Sequence, residues 1–216
     1  MLTKIKQDLQ AIFDRDPAAT STLEVVLTYA GFHALLAYRF SHWLKSHDVP
    51  ILPRVISQLA RWMTGVEIHP SAKIGTGFFI DHGMGVVIGE TAQIGDYVTL
   101  FQGVTLGGTG KERGKRHPTL GNHIMVGAGA KILGGITIGD NVKIGANSVV
   151  LKNIAANSTV IGVPARVIKT QGTRLPDATM DQVDLSDPII DRLIALEREL
   201  IELRKKLENQ DTPPRP

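Results

Sequence analysis

The chain has 216 residues, of which 22 are glycine, 11 are proline and none is cysteine, and its net charge is +3. The lack of cysteine excludes a disulfide framework, and a hydrophobic content of 43% argues against bulk disorder. The charge excess equals that of one short segment, 107–119, which is unlike a nucleic-acid footprint and suits a loop that meets a small anion.

No window approaches 18 uninterrupted apolar residues, so no membrane span is expected. The opening Met1-Leu2-Thr3-Lys4-Ile5-Lys6-Gln7-Asp8 has no apolar h-region, so the chain reads as cytoplasmic. Composition divides it in three. Twenty of the 22 glycines lie between Gly65 and Gly162, whereas seven of the eleven aromatic residues precede residue 65.

Residues 1–64 read as a helical domain. Asp14-Arg15-Asp16-Pro17 is a loop after the first helix. Ser21 and Glu24 form a capping box for a second helix, in which Leu23, Val26, Leu27, Ala30, Ala34, Phe40 and Trp43 fall near one stripe. Pro50 and Pro53 end that helix and permit another over about Arg54 to Thr64. The aromatic residues of this segment are expected in its core.

From residue 65 an aliphatic residue recurs every six positions: Ile68, Ile74, Ile80, then Ile88, Ile94, Leu100, Leu106, then Leu120, Val126, Ile132, Ile138, Ile144 and Val150. Glycine often follows it, and four positions on stands a small or β-branched residue such as Ala72, Val98, Ala130 or Ser148. A period of six fits neither a helix nor a plain strand. It fits a short strand and a tight turn, repeated, with three sides closing one coil of about 18 residues. This pattern resembles the hexapeptide-repeat families, which implies a left-handed parallel β-helix over 65–168. The frame breaks twice. Two extra residues fall within Asp81-His82-Gly83-Met84-Gly85 and eight within Gly107 to Thr119. Insertions in a solenoid become loops, often on its binding face, and both of these carry histidine and charge.

In the tail, 169–216, Ile189, Leu193, Leu196, Leu200, Leu203 and Leu207 are spaced alternately four and three apart. This is an a/d seam and is expected to form an oligomerisation helix after a linker. The fold class expected is α + β: N-terminal helices, a parallel β-helix and a C-terminal helix.

Of the seven histidines, His33, His42 and His47 lie in the helical segment and His69 at an ordinary repeat position. His82 and His117 lie in the insertions. A zinc site of the kind built from three histidines on neighbouring coils lacks a well-placed third. The other reading is general-base catalysis, in which a histidine beside a carboxylate takes a proton from an alcohol that attacks a carbonyl. Asp81 adjoins His82, and Glu67 stands fifteen residues upstream, close to one coil. Backbone N–H groups of Gly107-Gly108-Thr109-Gly110 are candidate oxyanion donors. These residues point to acyl transfer and name no substrate.

Three blocks go further: Ile80-Asp81-His82-Gly83-Met84-Gly85 with Val87-Ile88-Gly89-Glu90-Thr91-Ala92; Gly107-Gly108-Thr109-Gly110-Lys111 with Arg116-His117-Pro118; and Gly162-Val163-Pro164-Ala165-Arg166. Over about residues 10 to 168 the chain closely resembles the bacterial serine O-acetyltransferases. The resemblance implies acetyl transfer from acetyl-CoA, as co-substrate, to the hydroxyl of L-serine, with no bound cofactor and no metal. It implies His82 as general base and Glu67, where the family often has Asp, as its partner. Asp16, Asp81, Arg116 and His117 match serine-binding positions. Gly108 matches a donor near the thioester oxygen, and Ala128 and Ala146 match acetyl-CoA contacts.

The resemblance further implies feedback inhibition by L-cysteine and sites formed between subunits of a homotrimer. The short N-terminal part leaves a dimer of trimers open. The chain closes Pro214-Arg215-Pro216 where the family carries an Ile that enters cysteine synthase, so a cysteine synthase complex by that route is not expected. The alternatives are another hexapeptide O-acetyltransferase with a sugar or other hydroxyl acceptor, and a metal protein like the γ-carbonic anhydrases.

Overall fold

The computed structural model describes residues 2–110, 113–170 and 196–202. Four helices come first: α1 (Leu2–Arg15), α2 (Thr22–Thr28), α3 (Ala30–Ser46) and α4 (Leu52–Thr64). Ser21 caps α2 by accepting from the Glu24 N–H at 3.2 Å, while the Glu24 carboxylate accepts from the Thr20 N–H at 3.1 Å. Gly65, at φ 71°, closes α4 in the left-handed conformation that glycine adopts most readily.

The expected single helix after Ser21 is two. Tyr29, extended at φ −86° and ψ 100°, separates α2 from α3. The expected stripe is also displaced. Leu23, Val26, Leu27, Phe40 and Trp43 are exposed; of the expected stripe Ala34 is buried, joined by Val25, Phe32, Leu35 and Tyr38. The cause is the docking of α3. The Tyr38 hydroxyl donates to the Ala72 carbonyl at 2.7 Å and Arg39 Nη1 to the Ile74 carbonyl at 2.7 Å, which turns Phe40 and Trp43 outward. Trp62, on the outer face of α4, is 85% exposed, so the expectation of aromatic core residues fails there too.

The hexad segment winds as a parallel β-helix. Its first coil holds β1 (Glu67–Ile68), β2 (Lys73–Ile74) and β3 (Phe79–Ile80), and its second β4 (Val87–Ile88), β5 (Gln93–Ile94) and β6 (Thr99–Leu100). The third holds β7 (Thr105–Gly107), β8 (Thr119–Leu120) and β9 (Met125–Val126), and the fourth β10 (Lys131–Leu133), β11 (Thr137–Ile138) and β12 (Lys143–Ile144). Then come β13 (Val149–Val150), β14 (Ser158–Ile161) and β15 (Arg166–Thr170), of which β15 runs antiparallel to β14. Strands stack as β1-β4-β7-β10-β13, β2-β5-β8-β11 and β3-β6-β9-β12-β14, giving the three sides of a prism. All thirteen hexad aliphatics from Ile68 to Val150 are buried in one core, so each coil's hydrophobic contribution comes from stacking on its neighbours.

The helices close the first coil. Buried Arg39 donates to both oxygens of Asp8 at 3.1 Å, and Asp8 Oδ1 also accepts from the Phe78 N–H at 3.1 Å. Gly31 lies flat on β3: a Cβ there would stand 2.1 Å from the Ile80 carbonyl oxygen. Residues 196–202 are helical; most of the heptad seam lies outside the described residues. No helix among the described residues is long and apolar enough to cross a membrane.

Candidate active site

The two frame breaks leave the prism at different corners. Residues 81–85 link β3 to β4, at the corner between the third side and the first. Residues 108–118 link β7 to β8, at the corner between the first side and the second. A side of six residues spans up to about 20 Å at 3.3 Å per residue, so the two loops of one chain stand a full side apart.

The first corner is acidic. Arg15 donates to the Gly77 carbonyl at 3.2 Å and to Thr99 Oγ1 at 2.9 Å, which staples the end of α1 to the first two coils and sets Asp16 beside Asp81. The Tyr29 hydroxyl donates to Asp16 Oδ2 at 2.8 Å, and burial with that bond pushes its pKa to about 12. Burial raises the Asp81 carboxyl above its ordinary value; His82 opposes the shift and Asp16 adds to it. His82 Nε2 stands 3.9 Å from Asp81 Oδ1, and its side chain is 75% exposed. Its φ of 58° is shared by Tyr97, His123, Asn141, Asn147 and Asn157, so it reflects the turn geometry of the solenoid rather than a strain peculiar to the site.

The second corner is basic and folded down onto the coil below. Arg116 Nη2 meets Glu90 Oε2 at 2.5 Å. That bond, first among several causes, lowers the Glu90 carboxyl. The His117 ring lies over Gly89 and is 8% exposed, and burial foremost lowers its pKa. Lys115 Nζ donates to the His117 carbonyl. Nearby His69 accepts the Ser71 N–H on Nδ1 at 3.0 Å, and burial lowers its pKa to about 4. A cleft lined by Ser71, Lys73, Glu90, Thr91, Gln93 and Lys115 opens beside this corner.

Asp16, Asp81 and His82 are thus brought together, and so are Arg116 and His117, but the two groups are on separate corners. Glu67 lies in β1, its carboxylate 3.1 Å from Arg61 Nη1. Gly108 is exposed, and a Cβ there would stand 3.2 Å from Arg116 Cγ. The β9–β12 register places Ala128 and Ala146 one coil apart on the same edge, where the Asn147 N–H donates to the Ala128 carbonyl at 2.8 Å. Among the described residues no group of three or more His, Asp or Glu side chains is disposed to hold a metal ion.

Sequence reasoning gave no role to Tyr29, Glu90 or Thr91. The signal for the last two was in the spacing. Arg116 and His117 each stand 26 residues after their partners, which is one coil of 18 plus the eight inserted residues.

Comparison with known proteins follows the same division. The family described as "Serine acetyltransferase, N-terminal" matches residues 1–37, and "Bacterial transferase hexapeptide (six repeats)" matches residues 117–152. A serine acetyltransferase of Bacillus pumilus is 55% identical over 203 residues, which cover 94% of this chain and 93% of that one. A solved serine acetyltransferase in complex with cysteine superposes with a TM-score of 0.82 at 43% identity, covering 85% of this chain and 72% of that one. The Brucella abortus serine acetyltransferase in complex with coenzyme A gives a TM-score of 0.77 at 44% identity, with coverages of 79% and 68%.

Proposed function

The chain belongs to the serine acetyltransferase family, and from that premise we propose how its two corners perform the family's reaction. Its fold is the family's, N-terminal helices followed by a left-handed parallel β-helix. The reaction is transfer of the acetyl group of acetyl-CoA to the hydroxyl of serine, giving O-acetylserine and CoA, in cysteine biosynthesis.

The observation that carries the assignment of roles is the charge division between the corners. Serine is a zwitterion. Asp16 and Asp81 suit its ammonium: two neighbouring carboxylates, Asp81 raised by burial, which an inserted ammonium would pair with. Arg116 suits its carboxylate, and His117 adds a second donor. His82 is the general base. It takes the hydroxyl proton as the serine oxygen attacks the thioester carbonyl carbon. The N–H of Gly108 steadies the oxyanion. The tetrahedral intermediate collapses with cleavage of the carbon–sulfur bond, and the CoA thiolate leaves and recovers the proton from the His82 imidazolium. Glu67, released from Arg61, steadies that imidazolium, and the pantetheine arm runs past Ala128 and Ala146. No covalent acyl-enzyme is formed.

One molecule of serine cannot reach both corners of one chain. The acidic corner of one copy is therefore completed by the basic corner of the next around a homotrimer, with sites at the interfaces of the catalytic solenoids, 65–168. The helical segment 1–64 supplies Asp16, and 169–216 assists assembly. L-cysteine, a zwitterion of the same shape, competes for the serine pocket.

The test is acetyl-CoA consumption with serine, homoserine, threonine and simple sugars, with and without cysteine. Serine should be turned over fastest, and cysteine should raise its KM. Turnover of a sugar but not serine would replace this reading with that of a different hexapeptide acetyltransferase.

A further inference from the structure

The triplet Gly89-Glu90-Thr91 takes no step in the reaction above, yet all three residues meet the Arg116-His117 pair one coil on. Gly89 leaves room for the imidazole, since a Cβ there would lie 2.0 Å from its Cδ2 and 2.1 Å from its Nε2. Glu90 holds the guanidinium at 2.5 Å. Thr91 Oγ1 accepts the N–H groups of both Arg116 and His117 at 3.1 Å. The Thr91 N–H points at His117 Nδ1 at 3.2 Å, and the hydroxyl lies 2.9 Å from the same nitrogen.

These contacts leave one assignment of the proton. An amide N–H can only donate, so Nδ1 must accept and carries no hydrogen. The hydroxyl oxygen already accepts twice, so its one hydrogen also goes to Nδ1. We propose that Thr91 is a positioning residue that fixes His117 as a neutral imidazole with its proton on Nε2, making His117 a hydrogen-bond donor to substrate and not a second base. The part concerning substrate rests on the reading of the basic corner given above.

The surroundings agree. The charged and titratable groups acting on the ring are Arg116, Glu90 and Lys115, with His69 nearby. Burial, Arg116 and Lys115 all disfavour the imidazolium, and only Glu90 opposes them. A proton added at Nδ1 would face two donors of Thr91. The division of labour follows: among the described residues no such donor pair meets the exposed His82 ring, while His117 is locked to give a hydrogen bond.

The experiment is nitrogen NMR of the full chain labelled at histidine, without substrates, with the His117 signals assigned by their loss in His117→Asn. Wild type should show a neutral ring at neutral pH with a protonated Nε2 and an acceptor Nδ1, and Thr91→Ser should match it. Thr91→Val, which keeps the amide donor but loses the hydroxyl, should leave Nδ1 an acceptor with one donor fewer, moving its nitrogen shift toward that of a free imidazole acceptor. It should also raise the KM for serine about tenfold, the worth of one hydrogen bond, with a smaller loss in kcat. Thr91→Ser should restore both constants. An Nδ1–H or imidazolium signal in wild type overturns the proposal, as does Thr91→Val with wild-type Nδ1 shift and KM. The spectra need no substrate, so inactivity toward serine would count against the function above and leave the proton assignment standing.

Discussion

The acidic and basic corners differ in how far each is organised by its own chain. The basic loop has eight inserted residues, enough to fold back onto the coil below, where Gly89, Glu90 and Thr91 receive it. The acidic loop has two, too few to fold on themselves, and among the described residues the exposed His82 meets Asp81 only at 3.9 Å. A group that binds a carboxylate gains from being held in advance, because less ordering is left for the substrate to impose. A group that must accept a proton gains from having no competing donor. The lesson is that insertion length sets how far each corner is organised within its own chain.

The comparison can be broken most decisively by mixing. At serine well below the wild-type KM, co-expressed His82→Ala and Arg116→Ala chains should regain about a quarter of wild-type activity from two parents that are nearly inactive there, because random closed assembly pairs an intact acidic corner with an intact basic one about one time in four. Steady-state rates of the purified mixture check this, and no gain would mean that each site lies within one chain. His82→Ala alone should lower kcat roughly 10²–10⁴-fold with little change in serine KM. Arg116→Ala should do the reverse, raising KM about 10–100-fold, as expected for a lost charge-assisted hydrogen bond; initial rates over a serine titration separate the two.

The smallest effect concerns His69, whose folded pKa of about 4 lies below its ordinary 6.5. The unfolded chain therefore binds a proton between these values that the folded chain refuses. Stability should be lost as pH falls from 6.5 toward 4, and be unaffected by this group above that window. His69→Gln should flatten the fall in urea midpoint between pH 7 and about pH 5, and an unchanged slope would remove His69 as the cause.

The solenoid was legible because stacking demands the same residue type at the same place in every coil, and all thirteen aliphatics occupy that place. The frame breaks located His82, Arg116 and His117 by the same logic. The helical segment was less legible. Nothing in Thr28-Tyr29-Ala30 breaks a helix by propensity; the break lets the Tyr29 hydroxyl reach Asp16. The buried face of α3 is set by where Tyr38 and Arg39 meet backbone carbonyls of the first coil, a tertiary partner that hydropathy does not record. The pairing of Glu90 with Arg116 and of Thr91 with His117 needed the coil count and the insertion length together.

The antiparallel β15 has one more consequence. A parallel solenoid ends in strands whose unpaired N–H and C=O groups invite another rod to continue the stack. Here β15 turns back on β14, and Gly162 and Ala165 engage the backbone of Val149, with Val149 N–H to Gly162 O at 3.0 Å and Ala165 N–H to Val149 O at 2.8 Å. The incoming rod would find its docking edge already filled by a strand running the wrong way. A fold whose repeats could propagate into a fibre is thereby terminated at a fixed length, and association is left to its sides.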